Sequence, residues 1–132
     1  MQETVGLTGL QLSILRVLWD RGEATTQDVW KHLTKRRRLA LTTVATIMSR
    51  LERKRVLTHR REGRQFVYRA TVTRSEVRRS KVRELTESLF GGNPAELVHH
   101  LVRDDDVDSA ELERIRAMLD EAMENGVSRD DA

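Results

Sequence analysis

A run of polar side chains at helical spacing begins at residue 42, and its residue types suit contact with a nucleic acid. Thr43 and Thr46 offer small hydroxyl and methyl groups near the start of the run, and Arg50 and Arg53 add guanidinium groups further along. Short side chains let a helix backbone approach base edges in the major groove, and arginines pair with phosphates. Taken alone, the pattern favours an ordinary amphipathic helix with a solvated, arginine-rich face.

The segment after this run changes from helical to alternating periodicity, which predicts a β-hairpin. Residues 56–61 and 64–70 form the two predicted strands, and Gly63 marks the turn between them. Arg61 and Arg64 lie on either side of the turn, so the tip of the hairpin is cationic. Such a tip can follow the phosphate backbone or enter the minor groove. The hairpin therefore shifts the balance towards DNA binding.

Three predicted helices must position these groups. They cover residues 8–19, residues 25 or 26 to about 33, and residues 42 to about 55. Thr8 and Gln11 form a capping box at the start of the first helix, Thr42 is the predicted N-cap of the third, and basic residues 35–38 precede it. The apolar stripes are Leu7, Leu10, Ile14, Val17 and Leu18; Val29, Trp30 and Leu33; and Val44, Ile47, Met48 and Leu51. Three helices followed by a basic hairpin predict a mainly α winged helix-turn-helix domain.

Charge is divided unequally along the chain. Residues 1–72 carry 15 Lys and Arg against 6 Asp and Glu, whereas residues 73–132 carry 9 against 15. A basic half of this density indicates a nucleic acid or an anionic membrane surface as the partner. No apolar run is long enough to span a bilayer, so no membrane insertion is expected. The first residues do not have the pattern of a secretory signal.

Neither a metal site nor an enzyme is expected from the residue types. The chain has no Cys, which excludes disulfides, thiol nucleophiles and thiolate metal sensors. His99 and His100 are neighbours and point about 100° apart on a helix, so they do not converge on one ion. The chain lacks a Gly-rich phosphate loop and a nucleophile with an adjacent base. We therefore predict no cofactor and no metal.

The acidic half predicts three further helices with thin apolar stripes. They cover residues 73 or 74 to 90, 94 to about 103, and 109 to 124, and Asn93 and Pro94 form a helix start. The stripes comprise Val82, Leu85 and Leu89; Leu97, Val98, Leu101 and Val102; and Leu112, Ile115, Leu119 and Met123. About fifty residues of this kind cannot bury a sizeable core alone. We therefore expect a second copy of the same segment as the partner.

These patterns divide the chain into three predicted regions. Residues 1–72 form the winged-helix domain, residues 73–124 form the helical dimerisation domain, and residues 125–132 form a flexible tail. The dimerisation residues are Val82, Leu85, Leu89, Leu97, Leu101, Leu112, Ile115 and Leu119.

Several short motifs of the chain occur together at spacings that resemble a known family. They are Leu7-Thr8, Leu18-Trp19, Thr42-Thr43-Val44, Arg50-Leu51, Lys54, Glu62-Gly63-Arg64 and Phe66-Val67-Tyr68. The set resembles the penicillinase repressor and methicillin-resistance repressor family, the BlaI/MecI/CopY class of winged-helix regulators. The resemblance covers about residues 7–124.

The resemblance implies a cytoplasmic, homodimeric transcriptional repressor that binds a dyad operator in double-stranded DNA. It implies that Thr43 and Thr46 face bases, and that Thr42 caps its helix near a phosphate. It also implies that Arg50, Arg61 and Arg64 contact the DNA backbone. The regulated genes would be those of a β-lactamase or a related stress response, and the family precedent adds a membrane sensor-protease as a partner.

Two positions depart from the family pattern. Arg55 stands where the family usually has Gly, and a non-Gly residue there costs about 1 kcal/mol if the backbone is left-handed. In the best-known members, cleavage between Asn and Phe in the dimerisation half ends repression, and the aligned residues here are His100 and Leu101. A protease pocket that hydrogen-bonds an Asn side chain rejects such a substitute. The helix is therefore either a packing element that is never cut, or the substrate of a protease with another specificity.

Three other functions compete with the repressor. A ligand-responsive winged-helix regulator of another class would release DNA when a small molecule binds. An architectural DNA-binding protein would bind any duplex with a similar salt dependence and little specificity. A small hydrolase would need turnover on a substrate, and the sequence offers it the least support.

Overall fold

The computed structural model describes the backbone of residues 6–104 and 107–130 and the side chains through residue 126. Its elements in chain order are α1 (Gly9–Arg21), β1 (Ala24–Thr25), α2 (Thr26–Leu33), α3 (Leu41–Arg53), β2 (Leu57–Glu62), β3 (Gln65–Ala70), α4 (Arg74–Leu89), α5 (Pro94–Arg103) and α6 (Ser109–Asp130). The chain divides into two compact units, the first ending at Glu84 and the second beginning at Leu85. The mainly helical class with a small hairpin is confirmed.

Helix α1 begins where the sequence predicts. The Thr8 hydroxyl oxygen accepts from the Gln11 amide at 3.2 Å, and the Gln11 side-chain oxygen accepts from the Thr8 amide at 2.9 Å. This reciprocal pair satisfies two amides that the first turn leaves without partners. Gly22 ends the helix with φ 86°, a value that favours glycine. Leu15, which lies outside the predicted stripe, is fully buried in the core.

Helix α2 starts with a second capping box. The Thr25 side chain accepts from the Asp28 amide, and the Asp28 carboxylate accepts from the Thr25 amide, both at 3.1 Å. The hydrogen bond from the Thr25 amide holds the pKa of Asp28 below its usual value because it stabilises the charged carboxylate. At the other end of α2, the Trp30 indole donates to the Leu39 carbonyl at 2.7 Å. The bond ties the connector to α2 just before α3 begins.

The predicted start of α3 is wrong. Ala40 is the N-cap in extended backbone, and the amides of Thr43 and Val44 donate to its carbonyl at 3.1 and 3.2 Å. Thr42 therefore lies inside the first turn and does not cap the helix. The Trp30 bond fixes the connector at Leu39, so the helix begins directly after it rather than at the first residue with a capping side chain.

Arg55 ends α3 in the left-handed region, with φ 68°. The Arg55 amide donates to the Glu52 carbonyl at 2.9 Å, and the Val56 amide donates to the Leu51 carbonyl at 3.1 Å. These two bonds form a Schellman motif, in which Val56 and Leu51 are both buried. The Arg55 carbonyl also accepts from the Thr71 hydroxyl at 2.6 Å. Arg55 therefore occupies a left-handed backbone position that favours glycine, which is the residue that the family pattern usually has there.

The sheet is antiparallel in the order β1-β3-β2. Leu57 pairs with Ala70 at one end of the hairpin and Glu62 pairs with Gln65 at the other, so Gly63 and Arg64 form a two-residue turn. Gly63 has φ 64°, which suits the first central position of a type II′ turn. The hairpin is confirmed, but β1 pairs with β3 through only Ala24 and Thr25 and was not predicted. Its two residues are too short for an alternating pattern.

The N-terminal part of α4 belongs to the first unit. Val77 is buried in the core, and Lys81 donates to the Leu7 carbonyl at 2.5 Å. The Trp19 indole donates to the Val72 carbonyl at 2.9 Å, and the Arg74 guanidinium lies 5.4 Å from the centre of the Trp19 ring. The first unit therefore extends to Glu84, beyond the boundary expected at residue 72.

The second unit contains the end of α4 with α5 and α6. Asn93 caps α5 by accepting from the Ala95 amide at 3.0 Å, and Pro94 is the first helical residue, as predicted. Helix α6 continues to Asp130, so the predicted end at residue 124 is wrong. Its sequence has no proline, and the single Gly126 lies within helical backbone. Residues 131–132 of the expected tail and residues 105–106 of the aspartate run lie outside the described residues.

Candidate nucleic-acid interface

The outer face of α3 consists of exposed hydroxyl and guanidinium side chains. Its members are Thr42, Thr43, Thr46, Arg50 and Arg53, and all five are exposed. The opposite face is fully buried at Val44, Met48 and Leu51. Burial of that stripe fixes the rotation of the helix about its axis, so the polar residues must point outwards.

The two threonines predicted to face bases differ in their hydrogen bonds. The Thr46 hydroxyl donates to the Thr42 carbonyl at 2.9 Å, so its hydrogen is already used within the helix. Its methyl group and oxygen lone pairs stay available for contact with a thymine methyl or a donor. Within the described part of the chain, Thr43 makes no side-chain hydrogen bond. Of the two threonines predicted to face bases, Thr43 is therefore the one that can donate without breaking an internal bond.

Helical spacing places the arginines at defined distances from the threonines. Thr43 and Arg50 are seven residues apart, two turns of helix, and therefore share a side of α3 at a separation of about 10 Å. Thr46 and Arg53 are related in the same way on the adjacent row. Within the described ranges, neither Arg50 nor Arg53 forms an ion pair. Their full charge is available to phosphates.

The hairpin tip carries two more arginines and one neutralised acid. The Glu62 carboxylate accepts from Arg60 at 2.5 Å, and Arg60 also reaches Glu23 at 2.8 Å. These two carboxylates raise the pKa of Arg60 above its ordinary value because both stabilise its charge. Arg61 and Arg64 are exposed, and neither has a carboxylate partner among the described residues. The tip is therefore cationic despite Glu62.

A chain of contacts ties the hairpin to the last turn of α3. Glu52 lies 2.5 Å from the ring nitrogen Nδ1 of His59, and the His59 ring stacks on Phe66 at 4.2 Å between centroids. The Arg61 guanidinium lies 5.5 Å from the centre of the Phe66 ring. Tyr68 packs beside His59 at 5.4 Å, and burial raises the pKa of its hydroxyl. These contacts position the hairpin tip relative to the outer face of α3, and no pattern in the sequence linked Glu52 to His59.

A groove of about 380 Å³ lies between the hairpin tip and the first turns of α2 and α3. Thr42 and Arg64 both line it, which brings together two residues predicted to contact DNA. Leu41 and Phe66 also line it and are 42% and 40% exposed. Both were missed as site residues. The cross-strand pairing of Phe66 with Arg61 would have indicated the position of Phe66 at the tip.

The predicted dimerisation residues lie on the surface of the chain. Leu89 is 71% exposed, Val82 is 51% exposed and Leu85 is 39% exposed. In the other two helices, Leu101, Leu112 and Leu119 are exposed, and Leu97 and Ile115 are half-buried. The surface is thus unusually rich in large apolar side chains.

The candidate cleavage residues lie within regular helix. His100 and Leu101 are both exposed in α5. The His100 ring packs edge-on against Phe90 at 5.8 Å, and its Nε2 lies 3.1 Å from Asp104. A protease that binds its substrate in extended conformation can cut the peptide bond between His100 and Leu101 only after the local turn of helix opens.

Two observations bear on other kinds of site. No group of three or more potential ligands is close enough to hold a metal ion among the residues that the structure describes. Over the same residues, no helix is both long and apolar enough to cross a membrane. The exposed outer face of α3 beside a cationic hairpin defines a winged helix-turn-helix domain of the DNA-binding type.

The chain belongs to the penicillinase repressor family, whose model matches residues 7–121. The penicillinase repressor of Bacillus licheniformis is 25% identical over 121 residues, which cover 92% of this chain and 94% of that protein. The methicillin resistance regulatory protein MecI of Mammaliicoccus sciuri is 19% identical, with 89% and 95% covered. The family resemblance inferred from the motifs is confirmed. The family consists of DNA-binding transcriptional repressors rather than enzymes.

A solved structure supports the fold of the first unit. The solution structure of the DNA binding domain of the repressor BlaI is 31% identical, with a TM-score of 0.50, and the match covers 54% of this chain and 87% of that one. The winged-helix prediction is confirmed.

Proposed function

We propose that this protein represses transcription as a homodimer bound to a dyad operator. The observation that carries the proposal is the exposed hydroxyl and guanidinium face of α3 beside a cationic hairpin tip, in a chain of the penicillinase repressor family. One such face per protomer matches one half-site, and two-fold symmetric proteins bind two-fold symmetric operators.

The proposed contacts follow from the chemistry of the side chains. Thr43 donates to or accepts from a base edge in the major groove, and Thr46 contacts bases through its methyl group. Thr42 lies near a phosphate without capping the helix. Arg50, Arg53, Arg61 and Arg64 contact phosphates and fix the register of the protein on the duplex.

Dimerisation through the helical region explains the exposed apolar stripes. Leu85 on α4, Leu101 on α5 and Leu112 on α6 are each about two-fifths exposed, and Leu89 on α4 is 71% exposed. Pairing of the same surface on two copies would remove that area from water. It would also raise the affinity for DNA, because the second half-site is bound intramolecularly.

The biological setting follows from the relatives named above. Two of those relatives are named a penicillinase repressor and a methicillin resistance regulatory protein. We therefore propose β-lactamase genes or related stress genes as targets and the cytoplasm as the location. Release of the operator would involve either a membrane sensor-protease of changed specificity or no cleavage at all. His100 in place of an amide-bearing residue argues against a protease that recognises Asn-Phe.

Genome-wide mapping of bound sites tests the proposal directly. We expect a small number of strong sites with a shared dyad sequence, upstream of genes whose transcription rises when the repressor is deleted. Purified protein should bind those sites at least about a thousandfold more tightly than random duplex at physiological salt. Broad occupancy without a shared sequence would support an architectural DNA-binding protein instead.

A further inference from the structure

A second concave site of the first unit involves none of the proposed DNA contacts. Its cavity of about 480 Å³ lies between α1, the end of α2 and the connector that leads to α3. The side chains that matter for its chemistry are Arg16, Asp20, His32, Lys35, Arg36 and Arg37. No residue of the outer face of α3 or of the hairpin lines it.

The cavity carries a large excess of positive charge. Arg16, Lys35, Arg36 and Arg37 are permanent cations at neutral pH, and none of the four forms an ion pair with a carboxylate among the described residues. The one acid in the lining, Asp20, already accepts from Arg74 at 2.7 Å. Asp20 therefore contributes little towards balancing the four cations.

The cations come from separate elements that the fold brings together. Arg16 belongs to α1, and Lys35, Arg36 and Arg37 belong to the connector between α2 and α3. The amides of Arg36 and Arg37 both donate to the Leu33 carbonyl at 3.2 Å, which folds the connector back onto the end of α2. Like charges held this close repel one another in the folded state. A bound anion would remove that repulsion.

We propose that this cavity binds a phosphate group. Arginine presents planar pairs of donors that match phosphate oxygens, and three arginines with a lysine can satisfy several oxygens at once. The cavity volume lies within the range of small-molecule sites. The phosphate comes either from DNA outside the major-groove contacts or from a free diphosphate-bearing small molecule.

The connector links this cavity to α3, whose outer face carries the proposed DNA contacts. Lys35, Arg36 and Arg37 lie between α2 and α3, and the Trp30 bond to the Leu39 carbonyl holds the same segment. An anion that draws the connector towards Arg16 acts on the chain immediately before α3. A free ligand in the cavity would therefore change the affinity for DNA without touching the outer face of α3.

The test uses the full chain and inorganic pyrophosphate as the probe. Calorimetric titration at constant ionic strength compares wild type, the double variant Arg16→Gln/Arg36→Gln, and the control double variant Arg79→Gln/Arg83→Gln. All four arginines are exposed and the two variants lose equal charge, so circular dichroism should show both folded. Binding to a long mixed-sequence duplex over a range of salt concentrations is measured on the same three proteins.

Each outcome is decisive. Suppose that wild type binds pyrophosphate saturably and that the affinity falls at least about tenfold in the cavity variant but not in the control variant. This result supports a free phosphorylated ligand. If wild type binds no pyrophosphate, the salt dependence of DNA binding decides. A salt slope that falls by about two units per protomer in the cavity variant, and not in the control variant, supports DNA phosphates as the ligand. Equal behaviour of the cavity and control variants in both measurements overturns the phosphate site. The duplex measurement depends on the proposed function, whereas the pyrophosphate measurement does not. A wild-type protein that binds no duplex would therefore refute the proposed function and leave the phosphate site to the pyrophosphate measurement.

Discussion

The two units differ in how much of their apolar surface they bury by themselves. Every buried hydrophobic side chain of the described residues lies in the first unit, from Leu7 to Val77. In the second unit, Thr86 is the only buried residue among those described, while Leu89 and Met123 are more than two-thirds exposed. The first unit has its own core, whereas the second has apolar stripes that need another surface. The difference suggests that DNA contact and assembly are separable properties of the chain.

The largest expected effect separates assembly from folding. Leu85→Asp places a charge in the apolar stripe of α4, so we expect a monomer by analytical ultracentrifugation. Loss of the partner domain should lower operator affinity by about 10²–10⁴-fold. Leu85→Met keeps an apolar side chain of similar volume and should remain dimeric. A Leu85→Asp protein that is still dimeric at micromolar concentration would place the interface on α5 and α6.

Truncation after His100 tests the second unit as a whole. The shortened chain lacks α6, so we expect it to be monomeric and to bind its operator poorly. Its first unit keeps the complete core, and its near-UV circular dichroism should resemble that of the full chain. A truncated protein with full affinity would exclude cleavage at this bond as the switch. Separately, a sensor-protease specific for Asn-Phe should leave the full chain intact.

Specific DNA contact should respond to a change that leaves both units folded. Thr43→Val keeps the shape of the side chain but removes its hydroxyl group. We expect the operator to bind about 1–3 kcal/mol more weakly, with little change for random duplex. Thr43→Ser retains the hydroxyl and should retain most of the discrimination. An equal loss on both duplexes would show that Thr43 does not contact a base.

A wing contact should weaken binding to every sequence. Arg64→Ala removes one cation from the hairpin tip, so the salt slope measured by fluorescence anisotropy should fall by about one unit per protomer. Arg69→Ala, on β3 and outside the turn, is the matched control. If both variants give the wild-type slope, the hairpin tip does not touch DNA.

The smallest effect concerns the first unit alone. Arg55→Gly relieves a positive φ at the end of α3 and should raise the free energy of unfolding by about 1 kcal/mol. Arg53→Gly, two residues earlier and still in helical backbone, should lower the free energy of unfolding by about the same amount. Urea unfolding followed by circular dichroism measures both. Destabilisation by Arg55→Gly would mean that the arginine side chain contributes more than its backbone strain costs.

Sequence patterns predicted the features that depend on neighbouring residues. Thr8 with Gln11 defined one helix start, and Gly63 defined the hairpin turn, because both act over three or four residues. Ala40 could not be predicted as the N-cap of α3, since its position depends on the bond between Trp30 and the Leu39 carbonyl. The paired threonines after it supplied a capping signal that the fold does not use.

Features set by distant contacts were also missed. The strand β1 exists only because Ala24 and Thr25 pair with β3, and Val77 is buried only because α4 packs on the first unit. The hydroxyl and guanidinium residues of the candidate interface were predictable, since the buried stripe of α3 determines which residues face outwards. The Glu52–His59 contact was not, because it joins a helix to a strand.

Both tryptophans of the chain donate their indole N–H to a main-chain carbonyl, Trp19 to residue 72 and Trp30 to residue 39. A carbonyl oxygen is present whatever side chain occupies the accepting position. Positions 39 and 72 can therefore diverge during evolution without losing these bonds, whereas the indoles themselves cannot be replaced by another apolar residue. Analyses of correlated substitutions would overlook both hydrogen bonds, because only the tryptophan of each pair is constrained in its side chain.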